Sequence, residues 1–323
     1  MFILANDPFN GKSKVDQNRW VFIGNNKHVA SSVLSDTEYS VWSKPEGCNF
    51  IKIMCVGGGE AGLTGDFGTA TTGRYGGGGG NSGQIAHGLW PAAIFPDRVY
   101  VRAGFGGAPS GSTTVTYGGA SSISIVPVRF EEAATEPARR ANGTVTLLCA
   151  LGGTSATLTN QADYYRLGLS GTIQVHQSTL GNKEGQGFGR AIAGGGNQTS
   201  GFILYITRDF NTNFLCGGGS GSGAISGVTI QDGGFISSTA PVPYRQGGVS
   251  GSSGSGQGGN GFFVWGPPMF GIGGGGGKGV NSGSGSGGGN GGMGCGGGGG
   301  GAGVSAGGAG GYGGPGFVII EVF

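Results

Sequence analysis

Residues 51–62 read IKIMCVGGGEAG, an apolar run that ends in Gly57, Gly59 and Gly62 at the spacing G-x-G-x-x-G. In a dinucleotide-binding fold such a strand feeds a tight glycine turn, and the turn opens a helix whose N-terminal N–H groups hold a pyrophosphate. The segment that follows therefore decides the fold. It reads LTGDFGTATTGRYGGGGGNSG (63–83), with five consecutive glycines, β-branched Thr69, Thr71 and Thr72 near its middle, and no apolar stripe at helical spacing. No helix is expected there. The acidic residue that would hold a ribose, about 20 positions further on, has no candidate at the end of a second strand. The motif is read as glycine used for structure, without a nucleotide or any other cofactor.

Composition supports that reading across the chain. Of 323 residues 82 are Gly and 12 Pro, with no G-X-Y period, so collagen is excluded. Disorder normally combines few apolar residues with high net charge, whereas here 36% of residues are hydrophobic, 10% are aromatic and the net charge is +2. A globular protein with glycine-built parts is the consequence. Only Arg139-Arg140 and the Lys12/Lys14 pair approach a basic cluster, so neither a nucleic-acid partner nor an anionic membrane is expected. The five cysteines (Cys48, Cys55, Cys149, Cys216, Cys295) lack metal-ligand or disulfide spacing. Cys55 and Cys149 sit in apolar runs, where a free thiol acts as a small hydrophobe and fits folding in a reducing cytoplasm. The opening MFILANDPFNGKSK has too short an apolar run for a signal peptide, and no stretch reaches the ~18 apolar residues of a membrane span.

Organisation follows from strand and turn signals. Residues 1–35 are poor in glycine and contain Trp20-Val21-Phe22-Ile23, a docking arm or simply an N-terminal strand. From residue 36 to 323 the chain reads as a glycine-rich β domain, an antiparallel all-β sandwich with short strands divided by glycine turns. Strands are expected within 38–42, 48–56, 83–90, 97–105, 120–128, 143–153, 171–176, 201–207 and 227–231, with one or two helical turns at most in 130–141. Pro45 and Gly47 mark a turn between the first two of these strands. In the tract 271–316 more than half the residues are glycine. With almost no side chains to bury, it is either a flexible linker or ordered by its backbone, as three-residue-per-turn polyglycine II chains packed through N–H···O and Cα–H···O contacts. The apolar ending GPGFVIIEVF (314–323) favours order. A closing strand at 316–323 is expected to return to the sheet begun by residues 48–56, pinning the tract at both ends.

Catalytic signatures are missing. His28, His87 and His176 are isolated, and Glu131, Glu132 and Asp163 are the nearest approach to a glycosidase pair, so no enzyme and no metal site is expected. Aromatic residues on glycine-rich loops are better binding candidates, because rings without large neighbours are free to stack on a sugar or a protein rim.

The segments TEYSVWSKPEGCNFIKIMCVGGGEAG, YGGGGGNSGQIAHGLW, DRVYVRAGFGGAPSG, GGASSISI and GGPGFVIIEVF together resemble the glycine-rich domain of bacteriophage tail and tail-fibre proteins. The resemblance covers roughly 37–152 and 296–323, leaving 153–270 as an insertion-like region. The tract 271–316 is similar in composition to the polyglycine sandwich of T-even-like distal fibre adhesins. The resemblance implies a virion structural protein at the adsorption apparatus, often a homotrimer, assembled in the host cytoplasm and released by lysis, and it implies no catalytic residue. On that footing Tyr244, Trp265, Phe270 and Tyr312 are expected to meet a bacterial surface glycan or outer-membrane protein, the alternative being that GFFVWGPPMF (261–270) is one more core strand with a Pro-Pro turn, and Trp20 and Phe22 are expected to dock on other virion proteins. The rival expectation is a purely structural component, a head fibre, capsid decoration or tail adaptor. A third, an ice-binding polyglycine protein, suits the tract but not the ordinary strands before it.

Overall fold

The apolar run of the quoted stretch is β4 (Phe50–Val56), and its alternation explains its place. Ile51, Ile53 and Cys55 enter one buried cluster while Met54 and Val56 enter another on the opposite face. A strand apolar on both faces belongs in the middle of a sheet. It pairs antiparallel with β5 (Ile85–Pro91) and with β15 (Phe317–Val322), the closing strand, which sets Ile53 opposite Ile320 and Cys55 opposite Val318. On its other edge β15 pairs with β2 (Arg19–Ile23), β2 with β1 (Phe2–Leu4), and β5 with β9 (Ile173–His176), giving the order β1-β2-β15-β4-β5-β9. The computed structural model describes residues 2–4, 18–24, 39–71, 73–109, 117–127, 146–150, 152–153, 173–176, 204–206, 214–215, 232–234, 236–238, 256–265 and 269–323.

A second antiparallel sheet, order β3-β6-β7-β8, covers the inner face of the first. Its strands are β3 (Ser40–Ser43), β6 (Arg98–Arg102), β7 (Ser121–Ser124) and β8 (Thr146–Ala150). Trp42, Val99, Val101, Ile123 and Leu148 meet Ile51, Ile53, Val318 and Ile320 in one core. Each such side chain, fully buried, contributes about 1.5–3 kcal/mol. The fold is the expected all-β sandwich, and among the described residues it contains no α-helix, only the 3-10 turn Ala92–Ile94. Gly47 lies in the turn that carries the chain from β3 in one sheet to β4 in the other, with φ of 78°, which the backbone of a β-carbon residue resists. The segments 130–141 and 227–231, and Cys216, lie outside the described residues. Cys48, Cys55, Cys149 and Cys295 are free thiols, and burial, helped by Cys149, pushes the Cys55 thiol well up.

Trp20 and Phe22, expected to dock on other virion proteins, both lie on β2 inside the main sheet: Phe22 is 2% exposed in the inter-sheet core, and the partly buried Trp20 packs edge-on to Trp42 with ring centroids 5.6 Å apart.

The outer face of the main sheet is covered near its glycine end by Phe263, Trp265, Met269 and Met293. β14 (Phe270–Gly271) pairs there antiparallel with β13 (Phe263–Val264) and parallel with β11 (Phe214–Leu215), and β10 (Leu204–Ile206) pairs in parallel with β12 (Ile236–Ser238).

Beyond β4 and β15 the chain changes period. Gly57, Glu60, Leu63 and Asp66 donate their N–H groups to the carbonyls of Gln84, Asn81, Gly78 and Tyr75, every third residue of a returning chain. Gly59, Gly62 and Gly65 donate to Gly314, Gly311 and Gly308 on a different chain. The carbonyls of Glu60, Leu63 and Asp66 accept from Gly297, Gly300 and Gly303 on yet another. A hydrogen-bond repeat of three that reaches several neighbours at once is the signature of polyglycine II packing, and a two-fold β pleat cannot produce it. The tract 271–316 supplies the inner chains of this bundle. Its purest run, Gly296–Gly301, is fully buried at the centre, bonded to 57–66, 75–84, 271–280, 285–292 and 306–314.

The opening glycine motif now has its explanation. A β-carbon at Gly59, Gly62 or Gly65 would fall 1.8, 1.9 or 2.2 Å from the carbonyl oxygens of Cys295, Gly298 and Gly301. The spacing G-x-x-G records a chain that touches its neighbour every third residue. Fixing a backbone costs about 1–2 kcal/mol per residue, and here a hydrogen bond of about 0.5–1.5 kcal/mol plus Cα–H···O contacts of about 0.5–1 kcal/mol each are of the same size.

Candidate binding surface on the glycine bundle

The bundle is rooted in the sheet at Gly57 and Gly316 and turns back on itself at its far end. Three turns meet there: 67–74, 281–284 and 303–306. Isolated bridges join Phe67 to Gly303 and Ser284 to Ala306. Arg74 binds all three turns together. Its Nη1 donates to the carbonyls of Gly303 (2.7 Å) and Gly68 (3.2 Å), and its Nη2 to Asn281 Oδ1 (3.0 Å), while the residue is 2% exposed. A guanidinium suits this post because its rigid fork serves several acceptors at once. Tyr75 N–H donates to Asp66 Oδ2, closing the neck of the hairpin.

What the turns present outward is chemically distinct from the bundle beneath. Phe67 is 71% and Tyr75 49% exposed, and the hydroxyls of Thr69 and Thr71 lie 3.2 Å apart beside them. Ser284 and Ser305 hydroxyls approach to 3.1 Å. Two large rings left in water on a rigid support do no packing work, and such rings are preferred anchors in interfaces.

A second surface runs along one side of the bundle. On its three outer chains exposed positions fall at multiples of three residues: Gln257 and Asn260; Ser284 and Asn290, with half-buried Gly287 midway between them; Ala306, Ala309 and Tyr312. The intervening glycines of the same chains point inward, as with Gly311 towards Gly289 and Gly310 towards Gly62. Asn290 N–H donates to Asn260 Oδ1 (2.9 Å), and Tyr312 N–H to Asn290 Oδ1 (3.0 Å). Each asparagine thus lends the next chain the acceptor that its own backbone does not place there.

The aromatic residues singled out in the sequence fare differently. Tyr312 is half exposed on this side surface. Trp265 is half-buried, its ring 4.9 Å from Phe263 and 5.1 Å from Phe317, so it serves as cover for the main sheet. Phe270 lies on β14, its backbone opposite Phe214 and Val264. Tyr244 lies outside the described residues, as do Glu131, Glu132 and Asp163. Trp265 and Tyr312 thus play different parts, one packed on the main sheet and the other exposed on the side of the bundle. Phe67, Arg74 and Tyr75 were not singled out, although the signal was there: an aromatic-bearing, threonine-rich turn between two segments with glycine at every third position.

Among the described residues no three His, Cys, Asp or Glu side chains converge as metal ligands, and no helix is long and apolar enough to cross a membrane. Glu60 is buried and engaged, its Oε2 accepting from Asn81 N–H (3.0 Å) and Nδ2 (2.8 Å). No family model matches the chain, and no curated protein is detectably similar to it.

Proposed function

We propose that this chain is a bacteriophage structural protein of the tail or tail fibre, residing in the virion as a homotrimer, and that it recognises the host cell surface through the free end of its glycine bundle. One observation carries the reading: exposed Phe67 and Tyr75 on turns that buried Arg74 holds rigid. The resemblance of the flanking segments to phage tail glycine-rich domains supplies the biological setting. A bundle whose interior is mostly glycine backbone carries a contact surface away from the sandwich without a large hydrophobic core. The test is adsorption. Gold-labelled antibody should mark the distal ends of tail fibres, and Phe67→Ala/Tyr75→Ala should lose host-cell binding by about tenfold or more at an unchanged thermal midpoint. Full adsorption by that variant sinks the reading.

A second reading, a purely structural head fibre, decoration or tail adaptor, is favoured by one feature. At the sheet end away from the bundle, Phe50, Leu89 and Phe323 are 47%, 44% and 61% exposed, with Phe50 and Phe323 on hydrogen-bonded neighbouring chains. Under either reading this apolar face suits another particle protein. Label over the head or tail base would select the second.

A further inference from the structure

We propose that Asn260, Asn290 and Tyr312 form a binding strip for a neutral polysaccharide, with a sugar ring stacked on Tyr312 and its hydroxyls accepting from the two side-chain amides. The proposal rests on the host-surface reading for its source of glycan, but it concerns the side of the bundle and is independent of the distal turns.

Tyr312 is the sole aromatic residue between Gly271 and Gly316. Its chain neighbours Gly311 and Gly313 offer no cover, and it remains 50% exposed. At the equivalent outward position three residues earlier the same chain carries Ala309, so the lattice has no need of a ring there. An exposed phenol on a flat support matches the apolar face of a pyranose, while its hydroxyl remains available to the sugar edge.

The amides are set up to complement it. Since Asn260 Oδ1 and Asn290 Oδ1 each accept a backbone N–H from the neighbouring chain, the orientation of both groups is dictated by the donors they face. Their Nδ2 groups are left as the donors offered to solvent, in a row with the ring. The row contains no charged side chain, which favours uncharged hydroxyls over carboxylates or phosphates as acceptors. Because the supporting chains are already ordered by backbone bonds, little conformational entropy is lost on binding. The outward repeat along each chain is three residues, about 9 Å at the ~3.1 Å rise of such chains, and it places Gln257, one repeat before Asn260 on the same chain, as a further polar group beside the row. A polymer is therefore a better fit than a single sugar.

The experiment uses the full chain on an array of purified bacterial O-polysaccharides, neutral and acidic, with matching mono- and oligosaccharides as competitors. The expected result is binding to neutral polysaccharide, competition that strengthens with oligosaccharide length, and loss by about tenfold or more in Tyr312→Ala, with Tyr312→Phe largely retaining it. Asn290→Leu should weaken binding too, and its thermal midpoint separates that effect from loss of the backbone cap. Phe67→Ala/Tyr75→Ala should bind the array normally. Binding to none of the neutral polysaccharides, binding confined to acidic ones, or full binding by Tyr312→Ala overturns the strip. Cell adsorption that survives while array binding is absent overturns the strip alone, whereas array binding without adsorption overturns the host-attachment reading and leaves the strip standing.

Discussion

The sandwich and the glycine bundle are continuous through β4 and β15, yet opposite physical terms hold them together. In the sandwich, side chains alternate with period two, and Ile53, Ile320 and Trp42 exclude water between two sheets. In the bundle the same chains switch at Gly57 and Gly316 to period three, and the backbone itself is the packing surface. The difference shows what glycine does here: it removes the β-carbon that would keep neighbouring chains apart, so that hydrogen bonds and Cα–H···O contacts replace a hydrophobic core.

That contrast is open to direct attack, most severely at the bundle centre. A β-carbon at Gly298 would lie 1.9 Å from the carbonyl oxygen of Gly275, with backbone on both sides and no flexible side chain to yield. Gly298→Ala is expected to cost on the order of 4 kcal/mol or more, in the range kept for severe overpacking. Urea unfolding followed by far-ultraviolet circular dichroism and tryptophan fluorescence measures it. Wild-type stability in this variant would mean that the chains are not packed as tightly as described.

The corresponding cut in the sandwich is Ile320→Ala. Ile320 is fully buried between Ile53 and Trp20 on the neighbouring strands, so its removal is expected to cost about 2–5 kcal/mol through lost burial and a residual cavity. Here the larger side chain is the stabilising one, whereas at Gly298 the smaller one is. A cost below about 1 kcal/mol would say that the sheets do not bury this position.

The two regions were also unequally legible in the sequence. β4 and β15 announce themselves as apolar runs, and their pairing was expected from the need of an apolar strand for partners. The glycine tract was readable as ordered backbone, but its extent was not. Residues 57–66 belong to the bundle although Glu60, Ala61, Leu63 and Thr64 dilute the composition, because from 59 onward contact demands glycine on this chain at 59, 62 and 65. Composition averages over positions, and along this outer chain the lattice constrains one in three. Trp265 is hard to place from sequence for a different reason: its contact with Phe317 spans distant parts of the chain, and local sequence does not encode it. Conversely, Phe67 and Tyr75 stood in the segment used to reject a helix, and only the folded turns show that nothing covers them.

The mildest prediction makes the sharpest distinction, because it is the Gly298 substitution moved to another face. Gly287 occupies an outward position of an outer chain, where an added β-carbon would meet nothing closer than the Ala309 carbonyl oxygen at 3.6 Å. Its φ lies outside the left-handed range, so alanine is not strained there. Alanine also has fewer conformations to lose from the unfolded chain, and Gly287→Ala is therefore expected to stabilise the protein by about 0.4–1 kcal/mol. The same chemical change thus carries opposite signs at two glycines of one bundle. If Gly287→Ala proved as damaging as Gly298→Ala, glycine would be required by composition rather than by contact, and the period-three account of the bundle would fail.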